Sequence, residues 1–287
     1  MIPAAFEYHR PVSLREAAAL LRRYTGDAKV AAGGQSLIPI MKMRLAQPGH
    51  LVDLAAVPNL IYIRQEEKGI KIGPMTTYYA LQSSKLIIEK LPLLAQAASV
   101  IADIQVRNKG TIGGSLAHAD AAADLPAVMV ALEARIHTMG GGRARAIPAD
   151  KFFVDFFTTA LKESELIREI TIPEIPIGTG MSYQKFANKA SHFAMVGIAA
   201  AVTLNHERRC ERVRIGITGA GTCASRARGA ERFLQGKMPT EENLRNAAIR
   251  GCDGVDFMSD LHASAEYRRH LIGVMGYKAL AEAVCRA

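Results

Sequence analysis

Two pairs of adjacent glycines constrain the fold of this 287-residue chain more than any other feature. The first pair lies in Ala31-Ala-Gly-Gly-Gln-Ser-Leu37, between an apolar run that predicts a buried strand and a stretch with helical spacing. The second lies in Gly110-Thr-Ile-Gly-Gly-Ser115 and is also predicted to be a turn. Glycine lets the backbone approach a ligand closely, and free amides in a turn bind anions. For either segment alone, an ordinary tight turn is the favoured interpretation. Two such segments, each beside hydroxyl residues, predict a site that binds a dinucleotide.

The remaining pattern predicts an α+β chain with two unequal domains. A segment rich in proline and glycine follows Pro173 and is typical of a domain boundary, so we expect domains at residues 1–177 and 178–287. The smaller domain is predicted to contain strands at 196–204 and 213–218, joined as an antiparallel hairpin, and then three helical stretches.

Three groups of side chains receive an interpretation from spacing alone. Arg212 and Arg214 alternate with apolar residues, which predicts that one face of their strand meets water. A cluster of four aromatic residues is predicted to lie in the core: Phe152, Phe153, Phe156 and Phe157. A basic run in the last helix is predicted to be a solvated face, or a face toward an acidic partner: Arg268, Arg269 and His270.

The four cysteines argue against a metal cluster and against a disulfide framework. No two of them lie within ten residues of each other, whereas zinc and iron–sulfur sites need closely spaced thiolates. Reduced thiols predict a cytoplasmic protein, with a peripheral position at the inner membrane face left open. The sequence has no apolar run long enough to span a bilayer and no recognisable signal peptide.

Other nucleotide-binding patterns fit the sequence poorly. The Walker A motif is absent, and Gly219-Ala-Gly-Thr-Cys-Ala224 fits a dinucleotide fingerprint by its letters only. That fingerprint needs a second strand that ends in an acidic residue, but residues 225–250 are predicted to be helical. The formal net charge of +9 suggests nucleic acid, yet the basic residues are dispersed and aromatic residues are only 6%.

The two glycine segments, extended to Arg107-Asn-Lys-Gly-Thr-Ile-Gly-Gly-Ser-Leu-Ala-His-Ala-Asp120, resemble the FAD-binding subunits of the molybdenum hydroxylases. This family includes the medium subunits of carbon monoxide dehydrogenase and quinoline oxidoreductase and the flavin domain of xanthine dehydrogenase. The resemblance extends over nearly the whole chain. It implies a flavin-binding fold of the vanillyl-alcohol-oxidase type followed by a smaller α+β domain with an antiparallel sheet and helices.

The resemblance also implies a set of residues that contact FAD. The diphosphate is expected at Ala32, Gly33, Gly34, Gln35, Ser36, Leu37, Thr111, Gly113, Gly114 and Ser115. Further contacts are expected from Ile101, Asp124, Ile167, Lys185 and Phe193, with His118 and Asp120 as polar residues of the dinucleotide loop rather than metal ligands. The Lys185 ammonium is expected to offset negative charge on the reduced flavin. Gln35 and His192-Phe193 depart from the residues of carbon monoxide dehydrogenases and of many relatives, which argues against that activity but not against FAD.

The function implied by the resemblance is electron transfer by an FAD-carrying oxidoreductase subunit. Electrons from a molybdenum cofactor on a large subunit would pass through [2Fe-2S] clusters on a small subunit to this chain, in a dimer of heterotrimers. A stand-alone flavin oxidase or reductase is the main alternative, and a basic nucleic-acid-binding protein is a weaker one.

Overall fold

The computed structural model describes residues 2–140 and 142–287. The strands are β1 (Glu7–His9), β2 (Ala28–Ala31), β3 (His50–Asp53), β4 (Ile63–Glu66), β5 (Gly69–Ile72), β6 (Arg135–Gly140), β7 (Arg145–Pro148), β8 (Phe153–Asp155), β9 (Thr158–Thr159), β10 (Glu165–Pro173), β11 (Thr179–Ala187), β12 (Ala194–Leu204), β13 (Cys210–Thr218) and β14 (Ser225–Arg226). The helices are α1 (Leu14–Arg23), α2 (Leu37–Lys42), α3 (Tyr78–Ser83), α4 (Lys85–Lys90), α5 (Pro92–Ser99), α6 (Ile104–Lys109), α7 (Ile112–His118), α8 (Asp124–Ala131), α9 (Arg228–Leu234), α10 (Glu241–Arg250) and α11 (Ala265–Cys285).

A small parallel sheet, in the order β1-β3-β2, begins the fold. Helix α1 starts where the Ser13 hydroxyl accepts a hydrogen bond from the Glu16 amide at 3.1 Å. Its apolar side packs into a core with residues of β3, since Ala17, Ala18 and Val52 are all buried. This sheet positions the first glycine segment, which directly follows β2.

The next layer is an antiparallel sheet in the order β4-β5-β10-β6-β7. Helices α3, α5, α7 and α8 share a large hydrophobic cluster with it, and every residue of α8 is buried. The predicted hairpin of β6 and β7 is present, although Gly141 at its tip lies outside the described residues.

The last layer is an antiparallel sheet in the order β11-β12-β13-β14, followed by α9, α10 and α11. Alternate residues of β12 face opposite ways: Ile198 and Ala200 pack with α11, whereas Ala199 and Ala201 pack with the cluster that contains α8. The chain is therefore an α+β protein with an antiparallel sheet and helices in its C-terminal part.

The prediction of a wet face on β13 is wrong. Arg212 and Arg214 lie on that face, and both donate hydrogen bonds to Glu133 at the end of α8. A Cβ atom at Gly216 would overlap the carbonyl group of Ala127 in α8, with its carbon only 2.8 Å away. Helix α8 covers this face at Gly216, and the two arginines, with side chains 34% and 26% exposed, connect the C-terminal sheet to Glu133 just after α8.

Two further side-chain predictions need correction. Phe152 and Phe153 are buried as expected, but Phe156 and Phe157 are exposed, the latter at 58%. Arg268 is not on a solvated face, because it is 2% exposed and donates to the Met195 and Gly219 carbonyl oxygens and to Asp260. Among the described residues, no helix combines the length and apolar character needed to cross a bilayer.

Candidate functional site

The first glycine segment forms a turn between β2 and α2, as predicted. Gly34 adopts a φ of +72°, a left-handed conformation that glycine enters without steric cost. Within the described residues, the amides of the segment Gly33–Leu37 donate no hydrogen bond to a protein acceptor, and Gly34 and Ser36 accept the first bonds of α2 through their carbonyl groups. A row of free amides at the start of a helix fits an anionic ligand such as a diphosphate.

The second glycine segment is not a turn, which corrects the sequence interpretation. Thr111 is the N-cap of α7, and its hydroxyl accepts a hydrogen bond from the Gly114 amide at 3.1 Å. The Gly113 amide donates to the Pro74 carbonyl oxygen at 2.8 Å, and the Ser115 amide donates to the Thr111 carbonyl oxygen at 3.0 Å. These amides are already used, so the glycines here serve close packing more than anion binding.

The two segments contact each other directly. A Cβ atom at Gly33 would overlap the Lys109 carbonyl oxygen and lie 2.7 Å from the Gly110 Cα atom. A Cβ atom at Gly114 would lie 3.5 Å from the Ala32 Cβ atom. Backbones that approach this closely leave no room for side chains, so the glycines let the free amides of the first segment lie against the beginning of α7.

A buried ion pair lies between the first part of the chain and the C-terminal sheet. The Lys185 ammonium on β11 donates to Asp124 Oδ2 at 2.9 Å and to the Val100 carbonyl oxygen at 3.1 Å. The side chains of Lys185 and Asp124 are each 5% exposed. Tyr183 donates its hydroxyl to Asp124 Oδ1 at 2.6 Å, so the carboxylate is bound on both oxygens.

Burial dominates the electrostatics of this cluster. Desolvation raises the pKa of Asp124, although Lys185 and the Tyr183 hydroxyl act in the opposite direction. Desolvation and the adjacent Asp124 carboxylate raise the pKa of Tyr183 well above its ordinary value. Tyr183 therefore remains a hydroxyl donor at neutral pH.

Tyr78 is a buried residue beside the second glycine segment. Burial raises the pKa of Tyr78 to about 12, while the nearby Ser115 side chain acts in the opposite direction and the Asp124 charge in the same one. A Cβ atom at Gly110 would overlap the Tyr78 ring, so the ring fills the space beside that glycine. The sequence analysis did not identify Tyr78 or Tyr183. Each contacts residues that are distant in the sequence, so local spacing gives no sign of the contact.

Three more predicted residues lie in or beside the segment that links α7 to α8. His118 packs on the exposed ring of Phe157, with ring centroids 4.9 Å apart, and burial lowers the pKa of His118. Asp120 accepts a hydrogen bond from the Ala122 amide at 2.8 Å. Phe193, which is 46% exposed, comes just before Ala194, whose amide donates to the Ala122 carbonyl oxygen at 3.2 Å.

The two predicted isoleucines lie in different surroundings. Ile101 follows Val100, a partner of Lys185, and its carbonyl oxygen accepts a hydrogen bond from Arg107 at 2.9 Å. Ile167 is buried in β10, in the same hydrophobic cluster as Ile112 of α7. Ile101 thus adjoins the ion pair, whereas Ile167 supports α7 from the core.

A cavity of about 1110 Å³ lies away from these residues. It is lined by parts of β5, β6 and β10, including Lys71, His137 and Glu169, and by no residue of the predicted FAD site. The cavity therefore does not coincide with the residues that are predicted to bind FAD.

An α+β fold that presents a row of free amides against a second glycine segment is typical of a nucleotide-binding protein. Residues 4–175 match the family "FAD binding domain in molybdopterin dehydrogenase", and residues 181–283 match "CO dehydrogenase flavoprotein C-terminal domain". The chain belongs to this family of FAD-binding subunits of molybdenum hydroxylases. The family resemblance inferred from the glycine segments is thereby confirmed.

Individual relatives match over their full length. The carbon monoxide dehydrogenase medium chain of Hydrogenophaga pseudoflava is 42% identical over 100% of this chain and 99% of its own. A solved structure of that enzyme, in a form that lacks the Mo-pyranopterin moiety of the molybdenum cofactor, superposes with a TM-score of 0.97 over 100% of both chains. The 6-hydroxypseudooxynicotine dehydrogenase complex subunit alpha of Paenarthrobacter nicotinovorans is 39% identical over 100% of this chain and 97% of its own.

A third relative extends the comparison to another enzyme. A chain of quinoline 2-oxidoreductase from Pseudomonas putida 86 is 32% identical, with a TM-score of 0.92 and 99% coverage of both chains. All three relatives are oxidoreductases, and the present chain is accordingly an FAD-carrying subunit of a multi-subunit oxidoreductase.

Proposed function

We propose that this chain passes electrons from [2Fe-2S] clusters on a small partner subunit through its FAD to a terminal acceptor. A large subunit with the molybdenum cofactor would oxidise the substrate, and the whole would form a dimer of heterotrimers. The observation that carries the proposal is the row of free amides at Gly33–Leu37, held against the beginning of α7. When bound, FAD supplies an isoalloxazine ring that accepts an electron pair and releases electrons singly or together.

The diphosphate of FAD is assigned to the first glycine segment. Free amides bind oxyanions by charge-assisted hydrogen bonds, each worth about 1.5–3 kcal/mol. Ser36 lies within this segment and supplies a hydroxyl donor, while Ser115 lies in the first turn of α7. The chain's excess of basic residues, formally +9, complements both the diphosphate and partner subunits.

Lys185 is assigned to the flavin side of the site together with its partners. Two of its three ammonium protons are directed to Val100 and Asp124, which leaves one donor for a ligand. Because Asp124 neutralises much of its charge, the pair acts as an oriented dipole rather than as a lone cation. Phe193, directly before β12, is exposed and offers an aromatic face for the isoalloxazine ring.

The proposal also includes a boundary between the two domains and a location in the cytoplasm. We place the domain boundary between residues 177 and 178, in the segment that links β10 to β11. The four cysteines are free thiols, which supports a location in the reducing cytoplasm.

Replacing Gly114 by valine tests the proposal in the complex that co-purifies with the chain. A Cβ atom there would lie 2.9 Å from the Thr111 hydroxyl oxygen, so the added branches would separate the two glycine segments. We expect loss of FAD, measured by extraction and absorbance, while dithionite still reduces the [2Fe-2S] clusters seen by paramagnetic resonance. Reoxidation of those clusters by an added quinone should slow, because the flavin is missing from the route.

The matched control is Gly273→Ala in α11, where an added Cβ atom meets nothing within 4 Å. That variant should keep its FAD and its rate of cluster reoxidation. Full FAD content in Gly114→Val would contradict the site. A wild-type chain that co-purifies without an iron–sulfur partner would contradict the proposed electron route.

A further inference from the structure

Three side chains that can bind a metal meet at the edge of the N-terminal sheet, away from the two glycine segments. Glu7 and His9 are two residues apart on β1, so both project from the same face of the strand. His50 is the parallel partner of Glu7 on β3 and lies directly beside them. In the described residues this is the one group of three whose ligand atoms, His9 Nε2, His50 Nδ1 and a Glu7 carboxylate oxygen, all lie within 4.8 Å of one another.

The spacing of these atoms matches one face of a tetrahedral metal site. His9 Nε2 lies 3.0 Å from His50 Nδ1, and Glu7 Oε2 lies 3.4 Å from His50 Nδ1 and 3.8 Å from His9 Nε2. Bonds of roughly 2.0–2.1 Å from zinc to nitrogen and oxygen place neighbouring tetrahedral ligands about 3.3 Å apart. Changes of about half an ångström or less would bring all three atoms onto one ion.

The surrounding residues hold the imidazole of His50 in the orientation that a metal needs. The Tyr24 ring stacks on the His50 ring with centroids 3.6 Å apart, which restricts its rotation. Asp27 Oδ2 lies 4.0 Å from His50 Nε2, and Asp27 is itself fixed by a hydrogen bond from the Gly49 amide at 2.7 Å. A carboxylate on this side favours a proton on Nε2 and leaves the Nδ1 lone pair directed toward His9 and Glu7.

We propose that His9, His50 and Glu7 bind a divalent transition-metal ion of the zinc class, with a fourth position open to water. Two imidazole nitrogens and one carboxylate oxygen form a donor set that zinc accepts with such an open position. The Glu7 side chain is 71% exposed, so the ion can enter from solvent. Bound metal would fasten the edge strand β1 to β3, whose other neighbour β2 leads into the first glycine segment. The proposal does not depend on the function assigned to FAD.

Zinc binding to the full chain, purified in whatever complex it forms and freed of metal by a chelator, tests the site. Equilibrium dialysis against zinc chloride with elemental counting should show one more Zn²⁺ per chain in the wild type than in His9→Gln or His50→Gln. Glu7→Gln should weaken binding at this site by about 10–100-fold or more, since even the loss of an outer partner costs that much. Zinc should also raise the melting temperature of the wild type and not that of His50→Gln.

His206→Gln is the matched control, because His206 is exposed in the loop between β12 and β13. It should bind as much zinc as the wild type. Circular dichroism and FAD content show whether the His9 and His50 variants are folded. Because the Glu7 side chain is exposed, Glu7→Gln tests the same site without disturbing the core. Equal zinc counts in the wild type and in His9→Gln, His50→Gln and Glu7→Gln would overturn the proposal.

Discussion

Replacing Lys185 by methionine should destabilise the protein strongly at neutral pH and only mildly at acid pH. Methionine keeps much of the length of the side chain but removes the ammonium that donates to Asp124 Oδ2 and to the Val100 carbonyl oxygen. Both charged groups are almost fully buried, so water cannot replace the lost partner. The Asp124 carboxylate would then be buried as an uncompensated charge.

The protonation of Asp124 limits the size of the effect. Breaking a buried pair by removing one partner costs about 3–5 kcal/mol. The buried carboxylate can bind a proton and so avoid being charged. For a carboxyl with the ordinary pKa of 3.8, this protonation costs about 4.4 kcal/mol at pH 7 but only about 1.6 kcal/mol at pH 5. The lost hydrogen bond to Val100 adds about 1 kcal/mol at either pH.

The sign of the pH dependence follows from the direction of the pKa shift. Burial raises the pKa of Asp124, and removing Lys185 raises it further, so the folded variant binds a proton more tightly than its unfolded chain. The stability lost by the variant is therefore largest above the pKa of the folded state and decreases as the pH falls toward 3.8. We expect a loss of about 3–5 kcal/mol at pH 7 and about half of that at pH 5.

Urea unfolding of the flavin-loaded protein at both pH values measures the effect. Lys278→Met on an exposed position of α11 is the control and should change the free energy of unfolding by less than about 0.5 kcal/mol. Adding Asp124→Asn to Lys185→Met removes the buried charge and should recover stability at pH 7 with little dependence on pH. Equal losses for Lys185→Met at pH 7 and pH 5 would refute the reasoning.

Three further substitutions test other contacts. Gly33→Ala should weaken FAD binding about 100-fold by flavin fluorescence titration, because a Cβ atom 2.7 Å from the Gly110 Cα atom forces a shift of about 1 Å that misaligns the amides. Glu133→Gln should lower the free energy of unfolding at pH 7 by about 1–2 kcal/mol. Its arginine partners outweigh burial and lower the pKa of Glu133, so urea unfolding should show this loss vanishing as the pH falls below 4.5. Arg268→Met leaves two carbonyl oxygens without their donor and should cost about 3 kcal/mol in thermal or urea unfolding, whereas a solvated arginine would cost almost nothing.

Local signals in the sequence identify the first glycine segment correctly. A short apolar strand, two glycines and a helical apolar pattern are sufficient to predict a strand, a turn and a helix. The second segment is misread because threonine followed by apolar and small residues signals an N-cap as well as a turn. The bonds from the Gly114 amide to the Thr111 hydroxyl and from the Ser115 amide to the Thr111 carbonyl oxygen identify it as an N-cap.

Long-range pairing explains the errors among charged residues. Alternating arginines on a strand are typical of a solvated face, but Glu133 is about 80 residues before Arg212 and Arg214 and brings them into an interface. Three consecutive basic residues on a helix point in three directions about 100° apart, so one of them turns inward, and that residue is Arg268. Neither the interface at Glu133 nor the burial of Arg268 can be predicted from spacing alone.

In the cluster around Asp124, the sequence predicts some of the residues, and only the fold reveals the others. The family motif identifies Asp124 and Lys185, which lie 61 residues apart in the chain. Tyr183, which donates to Asp124, and Tyr78, which lies beside Gly110, have no local signal, since a tyrosine beside apolar residues is normally a core residue. Each contact joins elements that are distant in the chain: Tyr183 on β11 meets Asp124 of α8, and Tyr78 of α3 meets Gly110.

An experimental structure of the FAD-loaded complex tests the central claim most directly. The oxygens of the FAD diphosphate should lie within hydrogen-bond distance, roughly 2.7–3.2 Å, of amide nitrogens in the segment Gly33–Leu37. The adjacent start of α7 should pack against the same diphosphate. A diphosphate bound elsewhere, with these amides hydrogen-bonded only to water, would contradict the account.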